Sequence, residues 1–249
     1  REASMKFLLL ALLFIPLRGI AQGSPDPTMQ NVVAKIQARN YVGAVEDCNR
    51  AIAGGRGPNL YMYYVNRGIA KAHLRDVPGA RNDYDRAIAL KPDADDAFLQ
   101  RALLFRQMNM NDSALFDFSQ AIHVNPRNSA TYEQRAELNF DMHKYPDALS
   151  DYDQAVLRDP QNVVLYGKRG RLKYLLRDFD AAIEDYTRAL QIQPEGGEWY
   201  FFRGLCKSLK TPSEFVADAC YDFNKAKEMG YNLERTGVDN YCDFDHYER

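Results

Sequence analysis

Histidine is rare and scattered in this chain. His73, His123, His143 and His246 form no His-x-x-x-His spacing, and the four cysteines form no Cys-x-x-Cys spacing, so zinc-type ligand patterns are missing. There is no Gly-x-Ser-x-Gly nucleophile turn and no glycine loop built to cradle phosphate; Gly54-Gly55-Arg56-Gly57-Pro58 reads as a turn. With nothing placed to activate a nucleophile or a water, the chain reads as a non-enzyme with no cofactor and no metal. A basic stripe is also absent: 32 Lys and Arg stand against 34 Asp and Glu, for a formal charge of −2. Nucleic-acid binding thereby loses its main driving term, the neutralisation of phosphate charge. No polybasic segment is present to draw the chain to anionic lipid.

Long apolar runs are limited to one, near the N-terminus. Lys6 supplies a positive start, Phe7 to Leu17 an apolar stretch, and Gly19-Ile20-Ala21 a small-residue cleavage site before Gln22. Residues 1–21 therefore read as a signal peptide, with 1–4 upstream of the start at Met5, and 22–28 as a linker. A stretch that short does not span a bilayer as a mature helix, so direct membrane insertion is not expected. Removing residues 1–21 shifts the formal charge from −2 to −4. The expected location is periplasmic or extracellular, where the four cysteines invite disulfides.

What is present is periodic. A phrase beginning Asp83-Tyr84-Asp85-Arg86-Ala87 returns at Asp117, Asp151 and Asp185, 34 residues apart each time, with weaker copies at Asp47 and Asp222. An aromatic column keeps the same step at Tyr64, Phe98, Tyr132, Tyr166 and Tyr200. Four residues on stands a tiny residue: Gly68, Ala102, Ala136, Gly170 and Gly204. Residues four apart share one helix face, so the tiny residue lets a second helix approach there. On that second helix Ala80, Tyr84 and Ala87 form one stripe. Pro92, Pro126, Pro160 and Pro194 then stop each unit, because proline lacks the N–H and disfavours helix in the residue before it.

These columns (aromatic, small, alanine, aromatic, alanine, proline) resemble the tetratricopeptide repeat family. The resemblance implies an all-α, right-handed α-solenoid of about six helix-turn-helix repeats with a C-terminal cap. The implied divisions are a degenerate repeat over 29–60, four complete repeats over 61–194, a fifth with an extended turn over 195–230, and a cap over 231–249. Thr28 and Val32 replace the aromatic and tiny residues of the first unit, as suits a terminal repeat. The C-terminal cysteine-containing segment also resembles the ends of secreted bacterial repeat proteins, notably from Bacteroidota. Cys220 with Cys242 is the expected disulfide, tying the cap to the last hairpin; the rival pairing is Cys206 with Cys220.

Two charge columns match in step: Arg67, Arg101, Arg135, Arg169 and Arg203 against Asp83, Asp117, Asp151, Asp185 and Asp222. Arginine's planar fork suits carboxylate, so the ladder reads as structural ion pairs in preference to a cation row for an anionic polymer. In the resembled family the first helix of each repeat lines a concave groove. Carried over, the groove is apolar at Met62, Val65, Ile69, Leu99 and Leu103, followed by Arg106. It is acidic at Glu133 and Glu137 with Phe140, basic and aromatic at Arg171 and Tyr174, and ends at Phe201. The positions that carry a lysine and asparagine clamp for chaperone tails in some relatives hold Val65, Ile69, Leu99 and Leu103 here, so that activity is not expected. The implied function is a secreted or periplasmic protein–protein scaffold binding a peptide or protein segment in the groove. The alternative is a structural component of an envelope assembly, with possible self-association.

Overall fold

The structure, a computed structural model, describes residues 26–55, 57, 59–210, 216–233 and 242. The anticipated signal peptide, the tip of the extended turn at 211–215, and most of the C-terminal tail lie outside the described residues. Among the described residues all regular structure is α-helical, in twelve helices. They fall into two compact units, one ending at Pro126 and the other beginning at Arg127. The all-α class read from the repeat is the class observed.

The first unit holds three hairpins: α1 (Pro27–Gln37) with α2 (Tyr41–Ala53), α3 (Leu60–His73) with α4 (Val77–Leu90), and α5 (Asp95–Gln107) with α6 (Asn111–Val124). The second holds three more: α7 (Ser129–Asp141) with α8 (Tyr145–Arg158), α9 (Val163–Leu175) with α10 (Phe179–Ile192), and α11 (Gly197–Lys210) with α12 (Val216–Glu228). Within a unit the first helix of one hairpin also meets the first helix of the next, as α3 meets α5 and α9 meets α11.

Local chemistry explains the boundaries. Asn40, Asp76 and Asp178 accept the amide three residues on, capping α2, α4 and α10. Lys91, Asn125, Asp159 and Gln193, each just before a proline, are the C-caps of α4, α6, α8 and α10. Their φ values are −141°, −129°, −134° and −130°, the extended geometry that proline imposes on its predecessor. The turn within each of the first five hairpins is closed by a left-handed residue that is not glycine: Arg39, Arg75, Asn109, His143 and Arg177.

The tiny residues do what their spacing implies. A Cβ on Gly68 would lie 2.6 Å from the Tyr84 ring, and one on Gly204 2.9 Å from the Phe223 ring. Helix therefore meets facing aromatic with no room for a methyl group. Tyr84, Phe118 and Tyr186 are buried beside Ala80, Ala114 and Ala182. In the first hairpin Val32 takes the tiny residue's place and is buried against Cys48, Met29 and Tyr63. The smaller Cys48 stands where later hairpins carry an aromatic ring, so volume is exchanged across the contact.

Candidate functional site

The charged columns come together as forks. Arg67 on α3 donates Nε and Nη2 to Asp83 on α4 at 2.9 and 2.6 Å. Arg101 does the same to Asp117 at 2.7 and 2.8 Å. In the second unit Arg135 meets Asp151 at 2.9 and 2.6 Å, Arg169 meets Asp185 at 2.9 and 2.5 Å, and Arg203 meets Asp222 at 2.9 and 2.6 Å. All five aspartates are buried. Two hydrogen bonds per pair satisfy carboxylates that water cannot reach.

Sequence reasoning missed the other members of these nodes. The remaining arginine nitrogen, Nη1, reaches back to the second helix of the preceding hairpin. It meets Asn49 at 2.7 Å from Arg67, Asp85 at 2.6 Å from Arg101, Asp153 at 2.8 Å from Arg169 and Thr187 at 3.3 Å from Arg203. Each acceptor stands two residues after the repeated aspartate, a polar column visible at the same period. A lysine one turn beyond the arginine adds a second cation: Lys71 on Asp83, Lys173 on Asp185 and Lys207 on Asp222. The first hairpin, lacking the arginine, holds Asp47 with Asn31, Lys35 and Arg50. The hydrogen bond from Lys35, outweighing burial, keeps the Asp47 carboxyl below its ordinary value.

The candidate groove positions divide sharply. In the first unit Val65 is 2% exposed and Leu99 4%, and Ile69 is also buried. Val65 and Ile69 belong to the core with Tyr84, Ala97 and Leu104. These three positions do not present the open apolar anchor that the repeat pattern implies. The reason is that a first helix is flanked on both sides, by its own partner and by the first helix of the next hairpin. Met62, Leu103 and Arg106 are half-buried, with Met62 packed against Met29, Val32 and Cys48. Phe201 is likewise core: it stacks on Tyr231 with ring centroids 4.9 Å apart and joins Phe223 and Leu233.

The second unit keeps its candidates nearer the surface and pairs them in unforeseen ways. Lys168 on α9 sits between Glu133 and Glu137 of α7, bridging both carboxylates. Burial works against its charge, but Glu137 and Glu133 together raise its pKa above the ordinary lysine value. The two acids that looked available are thus neutralised from within. Arg171 is exposed and lies over the Phe140 ring, 6.0 Å from its centroid. Tyr174 is half-buried against Phe179. Trp199 of α11 covers Gly167 of α9, where a Cβ would come within 2.3 Å of the indole.

Cys220 of α12 is bonded to Cys242, with Cα atoms 5.3 Å apart. Cys206, the rival partner, is a buried free thiol, as is Cys48; burial pushes each thiol up to about 12. No cluster of three or more His, Cys, Asp or Glu side chains is arranged to hold a metal among the described residues. No described helix is long and apolar enough to cross a membrane.

The comparisons with known proteins agree with this geometry. Residues 133–197 and 167–206 match the family model of the tetratricopeptide repeat. No curated protein matches the sequence. Among solved structures, the chain is similar to the C-terminal part of a TPR repeat-containing protein from Cytophaga hutchinsonii. The TM-score is 0.69 at 14% identity, covering 85% of this chain and 81% of that one. It is similar to PilF of Pseudomonas aeruginosa with a TM-score of 0.68 at 14% identity, covering 89% and 96%. YrrB, described as a TPR protein with an unusual peptide-binding site, aligns with a TM-score of 0.61 at 16% identity, over 74% and 93%. The family model covers repeats of the second unit, and the neighbours show that the chain shares the fold of tetratricopeptide repeat proteins.

Proposed function

We propose that this protein is a non-catalytic interaction scaffold that holds a peptide or protein segment along the first-helix face of its second unit, and that it works after export, in a periplasmic or extracellular compartment. The observation that carries the binding reading is the contrast on α9. Arg169 and Lys173 are committed to Asp185, and Lys168 to Glu133 and Glu137, whereas Val164 and Arg171 on the same helix stay exposed. A structural neighbour described as having a peptide-binding site supports the reading by analogy of fold. Export is supported by the charged-then-apolar stretch at Lys6 to Leu17 and by the Cys220–Cys242 bond, which persists in oxidising surroundings. The resemblance of the C-terminal segment to secreted Bacteroidota repeat proteins points the same way.

A photo-crosslinking amino acid placed at Val164, with Leu157 of α8 as the control, tests the binding face. Val164 is 43% exposed and Leu157 72% exposed, so both tolerate the probe. Crosslinks to one partner from Val164 but not from Leu157 are expected. Crosslinks from Leu157 alone would move the interface to the second helices and overturn the groove reading. The alternative role, as an assembling structural component, draws support from Leu157 and the also exposed Phe116 on second helices. An apparent mass that rises with concentration would favour it.

A further inference from the structure

Trp199 is the only tryptophan of the chain, and its seat is unusual. The indole lies over two glycines: a Cβ on Gly167 would come within 2.3 Å of it and one on Gly196 within 2.2 Å. Beneath it, the Tyr186 ring is stacked at 6.4 Å and 19°, and the Tyr186 hydroxyl is buried with no hydrogen-bond partner among the described residues. One turn along α9 from Gly167 stands Arg171, on the same helix face. Its guanidinium has the Phe140 ring beside it and no carboxylate within ion-pair distance among the described residues, unlike Lys168, Arg169 and Lys173 around it. Of the acids near this face, Glu133 and Glu137 are engaged by Lys168, and Glu198 stands exposed in the first turn of α11. Arg171 is thus the cation of α9 left without an ion pair among the described residues, on one helix face with exposed Val164 and with Gly167 under the indole.

We propose that this face takes a peptide segment in which a carboxylate side chain neighbours a large apolar one, the carboxylate pairing with Arg171 and the apolar side chain lying on Trp199. The inference rests on the groove reading above and narrows it to one polarity of partner. A carboxylate suits the arginine fork, which the Phe140 ring flanks on one side.

The lone tryptophan makes the site its own reporter. The probe is a fluorescein-labelled, end-blocked peptide of alternating Glu and Leu, with a Lys and Leu peptide of equal length as the control. Peptide anisotropy and Trp199 emission are read together up to about 1 mM. The expected result is saturable binding of the Glu peptide with a blue shift of Trp199, weakened at least about tenfold in Arg171→Gln and redirected to the Lys peptide in Arg171→Glu. Arg171 is exposed, and an unchanged far-ultraviolet helix signal verifies both variants. Equal or tighter binding of the Lys peptide to the parent would overturn the polarity while leaving the groove reading intact. Binding with unchanged Trp199 emission, or no binding of either peptide, would overturn the site.

Discussion

The Arg169 node gives the most direct test of how the hairpins are held together. Arg169 bonds Asp185 through two nitrogens and reaches Asp153 with the third, while Lys173 shares Asp185. The Asp185 side chain is 4% exposed and that of Asp153 52%, so the two halves of the node differ in weight. Stranding one partner of a fully buried pair costs roughly 3–5 kcal/mol. Lys173 remains beside Asp185 when the arginine is lost, which lowers the expected cost of Arg169→Ala to about 2–4 kcal/mol. Asp153→Ala removes a solvent-screened contact and should cost under about 1 kcal/mol. Urea unfolding followed by far-ultraviolet circular dichroism measures both, with amide exchange in α9 and α10 locating the loss. Replacing the whole buried cluster, Arg169→Met and Lys173→Met with Asp185→Leu, should be less damaging than Arg169→Ala, because no charge is left buried alone. An Arg169→Ala variant within about 0.5 kcal/mol of the parent would refute the structural reading of the ladder.

Reducing the Cys220–Cys242 bond opens a closed loop with a sequence separation of 22, and the chain-entropy model sets the loss at about 3 kcal/mol; calorimetry with and without dithiothreitol checks it, and peptide mapping should find Cys48 and Cys206 unlabelled by iodoacetamide in the native state. Gly167→Ala should push the indole from its seat, seen as a red-shifted Trp199 emission with easier acrylamide quenching, whereas an unchanged spectrum would show the seat to be loose. The Asp47 carboxyl is held below its ordinary value of 3.8, so its contribution to stability is present above that value and lost as pH falls through the lowered folded value. Lys35→Met should flatten that acid-side dependence in α1 and α2, measured by exchange or by pH-dependent unfolding.

The repeated columns by themselves determined the helical hairpins, their ends and their partners along the chain. That much is local: a four-residue step puts Tyr64 and Gly68 on one face, a proline forces Lys91 or Asn125 into extended backbone, and a short turn returns α4 onto α3. The matched arginine and aspartate columns were legible for the same reason, since both lie on helices joined by one turn. The surface left for a partner was decided only by the tertiary structure. Val65, Ile69 and Leu99 occupy groove positions by count yet are buried, because stacking of nonconsecutive first helices covers them. Lys168 falls between Glu133 and Glu137 across a separation of more than thirty residues, and Trp199 comes to rest on Gly167 from the next hairpin. Spacing along a chain records which face a side chain shares with its own helix; what lies opposite that face depends on how the helices stack, and only the packed molecule contains that information.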